Sequence, residues 1–157
     1  MATEIIKKLL QMQKLIIKKA IKSNYEVLIS LWEASVRATH HFLNERDINA
    51  YKKLILNKYF DQVDLYFIED DQHTYGFVGI AGDNIQMLFI DPKSRGNGIG
   101  RKLMRFAIEE KKANKVDVNE QNEQALCFYK HLGFVITDRY ENDDVGKPYP
   151  ILSMELR

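Results

Sequence analysis

Cysteine occurs once, at Cys127, and a single residue excludes a disulfide framework. No Cys/His spacing suits zinc, so no metal is expected. Cys127 stands between Leu126 and Phe128 in a helical pattern and reads as a small buried hydrophobe. The only prolines are Pro92, Pro148 and Pro150, and no Pro-, Gly- or Ser-rich linker divides the chain. A charge excess is also missing: 23 basic and 22 acidic residues leave a formal net charge of +1. That balance excludes a nucleic-acid binder working by bulk electrostatics. No apolar run reaches the length of a membrane span, and Lys7, Lys8 and Lys14 interrupt any signal-peptide pattern. The expectation is a cytoplasmic protein with no membrane partner.

What remains is ample material for a core. The 157 residues are 45% hydrophobic, which fits one domain over residues 1–157 without staples. Residues 2–13 carry Ile5, Ile6, Leu9 and Leu10 in an amphipathic pattern, an N-terminal helix or extension. Residues 15–21 read as a strand. Ser23, with Glu26 three residues on, predicts a capping box opening a helix to about Ala38, with Val27, Leu28, Leu31 and Val36 as its apolar stripe. Asn44 or Asp47 caps a second helix reaching Phe60. Three strands follow at 65–69, 75–81 and 85–90, separated by turns, as an antiparallel meander. Then come a loop (91–97), a long helix (98–112), a short strand (116–118), a helix (121–131) stopped by Gly133, and strands at 134–141 and 151–156. The class is mixed α+β.

The segment from Ile85 to Lys112 carries the chemistry. Its strand ends at Asp91-Pro92, because Pro92 has no N–H for a sheet ladder. Gly96, Gly98 and Gly100 alternate next, a pattern that turns backbone N–H groups inward as an anion nest. The following helix adds its free N–H groups and the positive end of its dipole. Arg101, Lys102 and Arg105 sit in its first two turns, where they oppose the dipole unless a polyanion lies beside them. The ligand part is a phosphate or pyrophosphate. A P-loop is excluded because Gly100 is followed by Arg101-Lys102, and the dinucleotide pattern is excluded because position 101 is not glycine.

Arg95-Gly96-Asn97-Gly98-Ile99-Gly100, after a strand and Asp-Pro, resembles the acetyl-coenzyme A signature of the GCN5-related N-acetyltransferases. Asn122, Ala125 and Tyr129, then Gly133-Phe134, resemble a second motif of that family in the right order. Trp32, Ala38-Thr39-His40, the run 118–124 and the run 143–150 are similar to one enterobacterial branch, of peptidyl-lysine or general N-acetyltransferases. The resemblance covers most of 15–157. It implies a three-layer α-β-α fold whose mostly antiparallel sheet has about seven strands, flanked by about four helices. It also implies a monomer or homodimer that transfers an acetyl group from acetyl-coenzyme A to a small-molecule amine or a peptidyl-lysine.

The same resemblance implies residue roles. Leu88, Phe89 and Ile90 would pair with the pantetheine arm, and Arg95, Gly96, Asn97, Gly98, Ile99, Gly100 and Arg101 would hold the pyrophosphate. Asn122 would bond the pantetheine or a water, with Phe128 packed nearby. Tyr129 would be the general acid for the leaving thiolate. For the base, His40 leads His41, Glu33 and Glu120. Trp32 and Phe42 read equally as core or as acceptor wall, with Val36 and the 142–149 loop. The alternatives are a non-catalytic coenzyme A-binding or regulatory module and, more weakly, a nucleotide-binding protein.

Overall fold

Alternating apolar runs, each bounded by turn residues, give this chain one sheet with helices on both faces. The computed structural model describes residues 2–157, with 11–13 described by backbone alone. In chain order the elements are α1 (Ala2–Gln13), β1 (Ile16–Lys19), α2 (Tyr25–Thr39) and α3 (Glu45–Leu54). Next are β2 (Asp64–Glu69), β3 (Thr74–Ala81), β4 (Asn84–Ile90), α4 (Ile99–Glu109), β5 (Lys115–Asn119), α5 (Glu123–His131), β6 (Phe134–Tyr140) and β7 (Ile151–Leu156). The seven strands lie in the order β1-β2-β3-β4-β5-β7-β6. Every neighbouring pair is antiparallel except β4 and β5.

The sheet separates two cores. On one face Leu103, Met104 and Ala107 of α4 pack with Val78, Ile80, Ile85, Val116, Tyr129 and Phe134. On the other, Leu28, Ile29, Trp32 and Val36 of α2 join Ile48, Ile55 and Phe60 against Leu65, Phe67, Phe77 and Met87. Strand β2 serves both, with Leu65 and Phe67 on one side and Tyr66 and Ile68 on the other, as the period of two dictates. Each fully buried large side chain contributes roughly 1.5–3 kcal/mol.

Several local expectations need correction. Ser23 does not cap α2. Lys22–Asn24 form a 3-10 turn whose Asn24 side chain accepts the Ile21 N–H at 2.9 Å, so the helix is entered from that turn. Val27 is 54% exposed and lies off the apolar stripe. Of the two candidate caps for α3, Asn44 is used: its Oδ1 accepts the Asp47 N–H at 2.8 Å. The helix does run on to Phe60, but through a π-helical segment (Ile55–Tyr59) that the periodicity gave no sign of. Cys127 is exposed, because α5 packs through Ala125, Phe128, Tyr129 and Leu132, spaced three or four residues apart. In α1 the apolar residues Ile5, Ile6, Leu9 and Leu10 are exposed.

Candidate active site

The parting of β4 from β5 makes the site. Their register holds only at Asn84↔Lys115 and Ile85↔Val116. Beyond Ile85 that edge of β4 has no strand partner, so alternate backbone N–H and C=O groups there are free for a ligand. A cavity of about 380 Å³ occupies the gap. Its walls are Leu88, Phe89 and Ile90 of β4, the loop and helix start at Arg95, Gly96, Gly98, Ile99, Gly100 and Arg101, and Asn122, Phe128 and Tyr129. The structure thus brings together nearly every residue singled out in the sequence. Among the residues expected to hold the co-substrate Asn97 is the exception, and of the basic residues at the helix start Lys102 and Arg105 do not line the cavity. Set between two glycines with φ of 78°, Asn97 lines a smaller cavity with Lys8, Tyr75 and Ser94.

The loop geometry explains its composition. Gly98 is the N-cap of α4 with φ 78° and ψ 10°, a left-handed conformation that costs an ordinary L-residue about 1–2 kcal/mol. Arg95 reaches across to the Gln124 Oε1 at 3.1 Å and the Ser35 Oγ at 3.5 Å, and partial burial lowers its pKa. A dianion beside it would repay that desolvation. Asn122 caps α5, its Oδ1 accepting the Ala125 N–H at 3.2 Å, which leaves its Nδ2 donors free to face the cavity. Ser35, Thr39, Ser94 and Gln124 also line this space. None of the four carries a role in the sequence patterns, although Thr39 and Gln124 fall within the stretches that carry the resemblance. Ser35 and Thr39 share a helical face one turn apart, and their proximity to the expected base at position 40 was the available signal.

Tyr129 is 5% exposed, and among the described residues its hydroxyl has no hydrogen-bond partner. Burial pushes its phenol well above the usual tyrosine range, so it stays protonated and can only donate to an incoming anion.

A second cavity, of about 420 Å³, lies on the α2–α3 side. Trp32, Tyr51, Tyr59 and Tyr149 give it aromatic walls, and its charged lining groups, Asp117, Asp143 and Asp144, are all acidic. Two long-range ties hold its outer wall. Tyr51 donates its hydroxyl to Asp143, whose other oxygen accepts the N–H groups of Val145 and Lys147. Asp47 accepts from the Tyr149 hydroxyl and from Lys147 Nζ at 2.8 Å. Phe42 stands behind this wall, its ring 5.7 Å from Tyr149 and 5.3 Å from His40.

His40 and Phe89 line both cavities. The other candidate bases are elsewhere. Lys52 and Arg37 hold Glu33 as a lowered, paired carboxylate, Arg139 does the same for Glu120, and His41 lines neither cavity. Burial, then the nearby charges of Arg95 and His41, push the His40 pKa down to about 4. A stability prediction follows. Between pH 6.5 and about 4 the unfolded chain binds a proton at His40 that the folded chain refuses, so stability rises with pH there. The full benefit is present above pH 6.5 and is lost as pH falls through 4, a difference of about 3 kcal/mol. Urea unfolding at pH 7.5 and pH 4.5 checks it: His40→Asn should show a smaller acid loss than the wild type. An equal loss in both would place the responsible group elsewhere.

Known proteins match this chain. A family model described as an acetyltransferase (GNAT) domain fits residues 61–136. The peptidyl-lysine N-acetyltransferase YjaB of Salmonella typhimurium is 39% identical over 142 residues, covering 88% of this chain and 95% of that protein. Its Escherichia coli K12 counterpart is 37% identical over 139 residues, covering 88% and 94%. Among solved structures, apo-form YjaB from Escherichia coli has a TM-score of 0.80 at 37% identity, covering 90% of this chain and 96% of that one. The PaiA N-acetyltransferase of Thermoplasma acidophilum, solved in complex with coenzyme A, has a TM-score of 0.72 at 20% identity, covering 90% and 98%. That last likeness speaks to fold alone. With the parted strands, the glycine loop and near full-length relatives in agreement, this chain belongs to the GNAT family and is an N-acetyltransferase.

Proposed function

We propose that this enzyme transfers the acetyl group of acetyl-coenzyme A to a primary amine, a lysine side chain or a small molecule, by direct attack in a ternary complex. One observation carries the reading: two cavities of opposite character share the wall formed by His40 and Phe89. The first, with Arg95, Arg101 and the glycine loop, suits the pantetheine and pyrophosphate of the co-substrate. The second, acidic and aromatic, suits a cationic amine. The relatives named as peptidyl-lysine N-acetyltransferases favour lysine among such amines.

In this mechanism the amine, held as a cation, first loses one proton to solvent, and the neutral nitrogen then attacks the thioester carbonyl and forms the C–N bond. Free N–H groups on the β4 edge near Leu88 and Phe89 stabilise the oxyanion. The amine proton passes to the neutral imidazole of His40. The C–S bond then breaks, and Tyr129 donates its hydroxyl proton toward the departing sulfur. A thiol of pKa about 8.5 is a stronger acid than this phenol, so the donated hydrogen bond strengthens only as charge develops on sulfur. Solvent then returns a proton to Tyr129 and removes one from His40. No enzyme nucleophile takes part, consistent with Cys127 being exposed on α5, outside both cavities. The test is free-thiol release from acetyl-coenzyme A across small amines and lysyl peptides, with mass-spectrometric identification of the product. Binding of the co-substrate without thiol release for any amine would overturn the proposal.

A further inference from the structure

His40 is the C-cap of α2, and the side chain of the residue before it contacts its ring. The Thr39 Oγ1 lies 2.8 Å from the Ser35 carbonyl oxygen and 2.8 Å from His40 Nδ1. A hydroxyl has one proton to give. A carbonyl oxygen only accepts, so that proton goes to Ser35. The Thr39 oxygen therefore meets His40 as an acceptor, and Nδ1 must carry a hydrogen. Burial keeps the ring neutral at ordinary pH, with a pKa near 4, so it holds one proton in all. That proton is on Nδ1, and Nε2 keeps its lone pair.

We propose that Thr39 is a positioning residue: it locks His40 in the Nδ1–H tautomer, which leaves Nε2 as the proton acceptor at the wall shared by the two cavities. The opposite tautomer would present an N–H to the attacking amine and could take nothing from it. The helix supplies the lock. Residues 35 and 39 are one turn apart, so the Ser35 carbonyl is always in reach of the Thr39 hydroxyl. Valine at position 39 keeps the branched shape and loses the oxygen, while serine keeps the oxygen and loses a methyl group. The inference rests on His40 acting as the base, and the experiment separates the two ideas.

Long-range proton–nitrogen NMR on protein labelled at the histidine ring nitrogens reads the tautomer directly, with His40→Asn assigning the signal. The wild type and Thr39→Ser are expected to carry the proton on Nδ1, and Thr39→Val to show the Nε2–H form. In parallel, kcat should fall at least about tenfold in Thr39→Val and recover to within about threefold in Thr39→Ser, with the KM for acetyl-coenzyme A held within about twofold in both. A wild-type proton on Nε2 overturns the proposal, as does an unchanged tautomer in Thr39→Val. Full turnover by His40→Asn overturns its catalytic half, and the tautomer spectra then show that the base assignment failed rather than the lock.

Discussion

Replacing Tyr129 by phenylalanine is expected to lower kcat by about 10²–10³-fold, with acetyl-coenzyme A affinity within about twofold of wild type. The substitution is unusually clean. Tyr129 is 5% exposed in the α4–α5 core, its ring 5.9 Å from Phe134 and 5.5 Å from Phe128, and phenylalanine keeps those contacts. The hydroxyl has no hydrogen-bond partner among the described residues, so its loss leaves no orphaned group in the protein. Folding stability should therefore hold or rise. A lower rate at unchanged melting temperature then reports the donated proton alone. Thiol release under saturating acetyl-coenzyme A, paired with a thermal melt, gives both numbers. Undiminished kcat would remove Tyr129 from the chemistry.

The second large effect is at Gly100, where binding and stability should separate. Gly100 lies in the first turn of α4 and lines the first cavity. A Cβ built there sits 3.3 Å from the Phe128 Cζ and 3.9 Å from the Ile90 Cγ1, at the floor of the gap between β4 and α5. A valine pushes Phe128 aside and fills space in the first cavity, where the proposed reaction places the co-substrate. Gly100→Val should weaken coenzyme A binding roughly 100-fold, about 2.7 kcal/mol. Helix propensity works the other way, since glycine in a helix costs up to about 1 kcal/mol relative to alanine. The melting temperature should thus change little while affinity collapses. Calorimetric titration of coenzyme A against both proteins decides it, and normal affinity in the variant would show that the ligand does not lie against the start of α4.

The lining of the first cavity was legible in the sequence for a physical reason. An anion cradle is made by consecutive backbone groups, so strand, Asp91-Pro92, alternating glycines and helix appear in the order in which they work. Asn122 and Tyr129 follow on one later helix, close behind a short strand. Asn97 lines the smaller cavity, since spacing does not report which way a side chain turns between two left-handed glycines. The second cavity was far less legible. Its wall depends on pairs such as Asp47 with Lys147 and Tyr51 with Asp143, which lie 100 and 92 residues apart. Thr39 was named only as part of a resemblance, since its role emerges from counting the protons available to three neighbouring groups. Cys127 is exposed although Leu126 and Phe128 flank it, because burial on α5 follows neighbours on the helix face and not neighbours in sequence.

Strand β7 has a consequence for how this enzyme comes into being. It lies between β5 and β6 in the sheet, yet a ribosome makes it after every other described strand. Until it arrives β6 has no strand partner among the described strands, and β5 is held to β4 through two register pairs. Leu152 and Met154 are also still absent from the core beneath α4 and α5. The emerging chain can therefore form the β1–β4 meander early but cannot complete the sheet. Its folding waits for a late insertion, a non-local pairing of the kind that forms slowly and leaves strand edges open to wrong partners meanwhile.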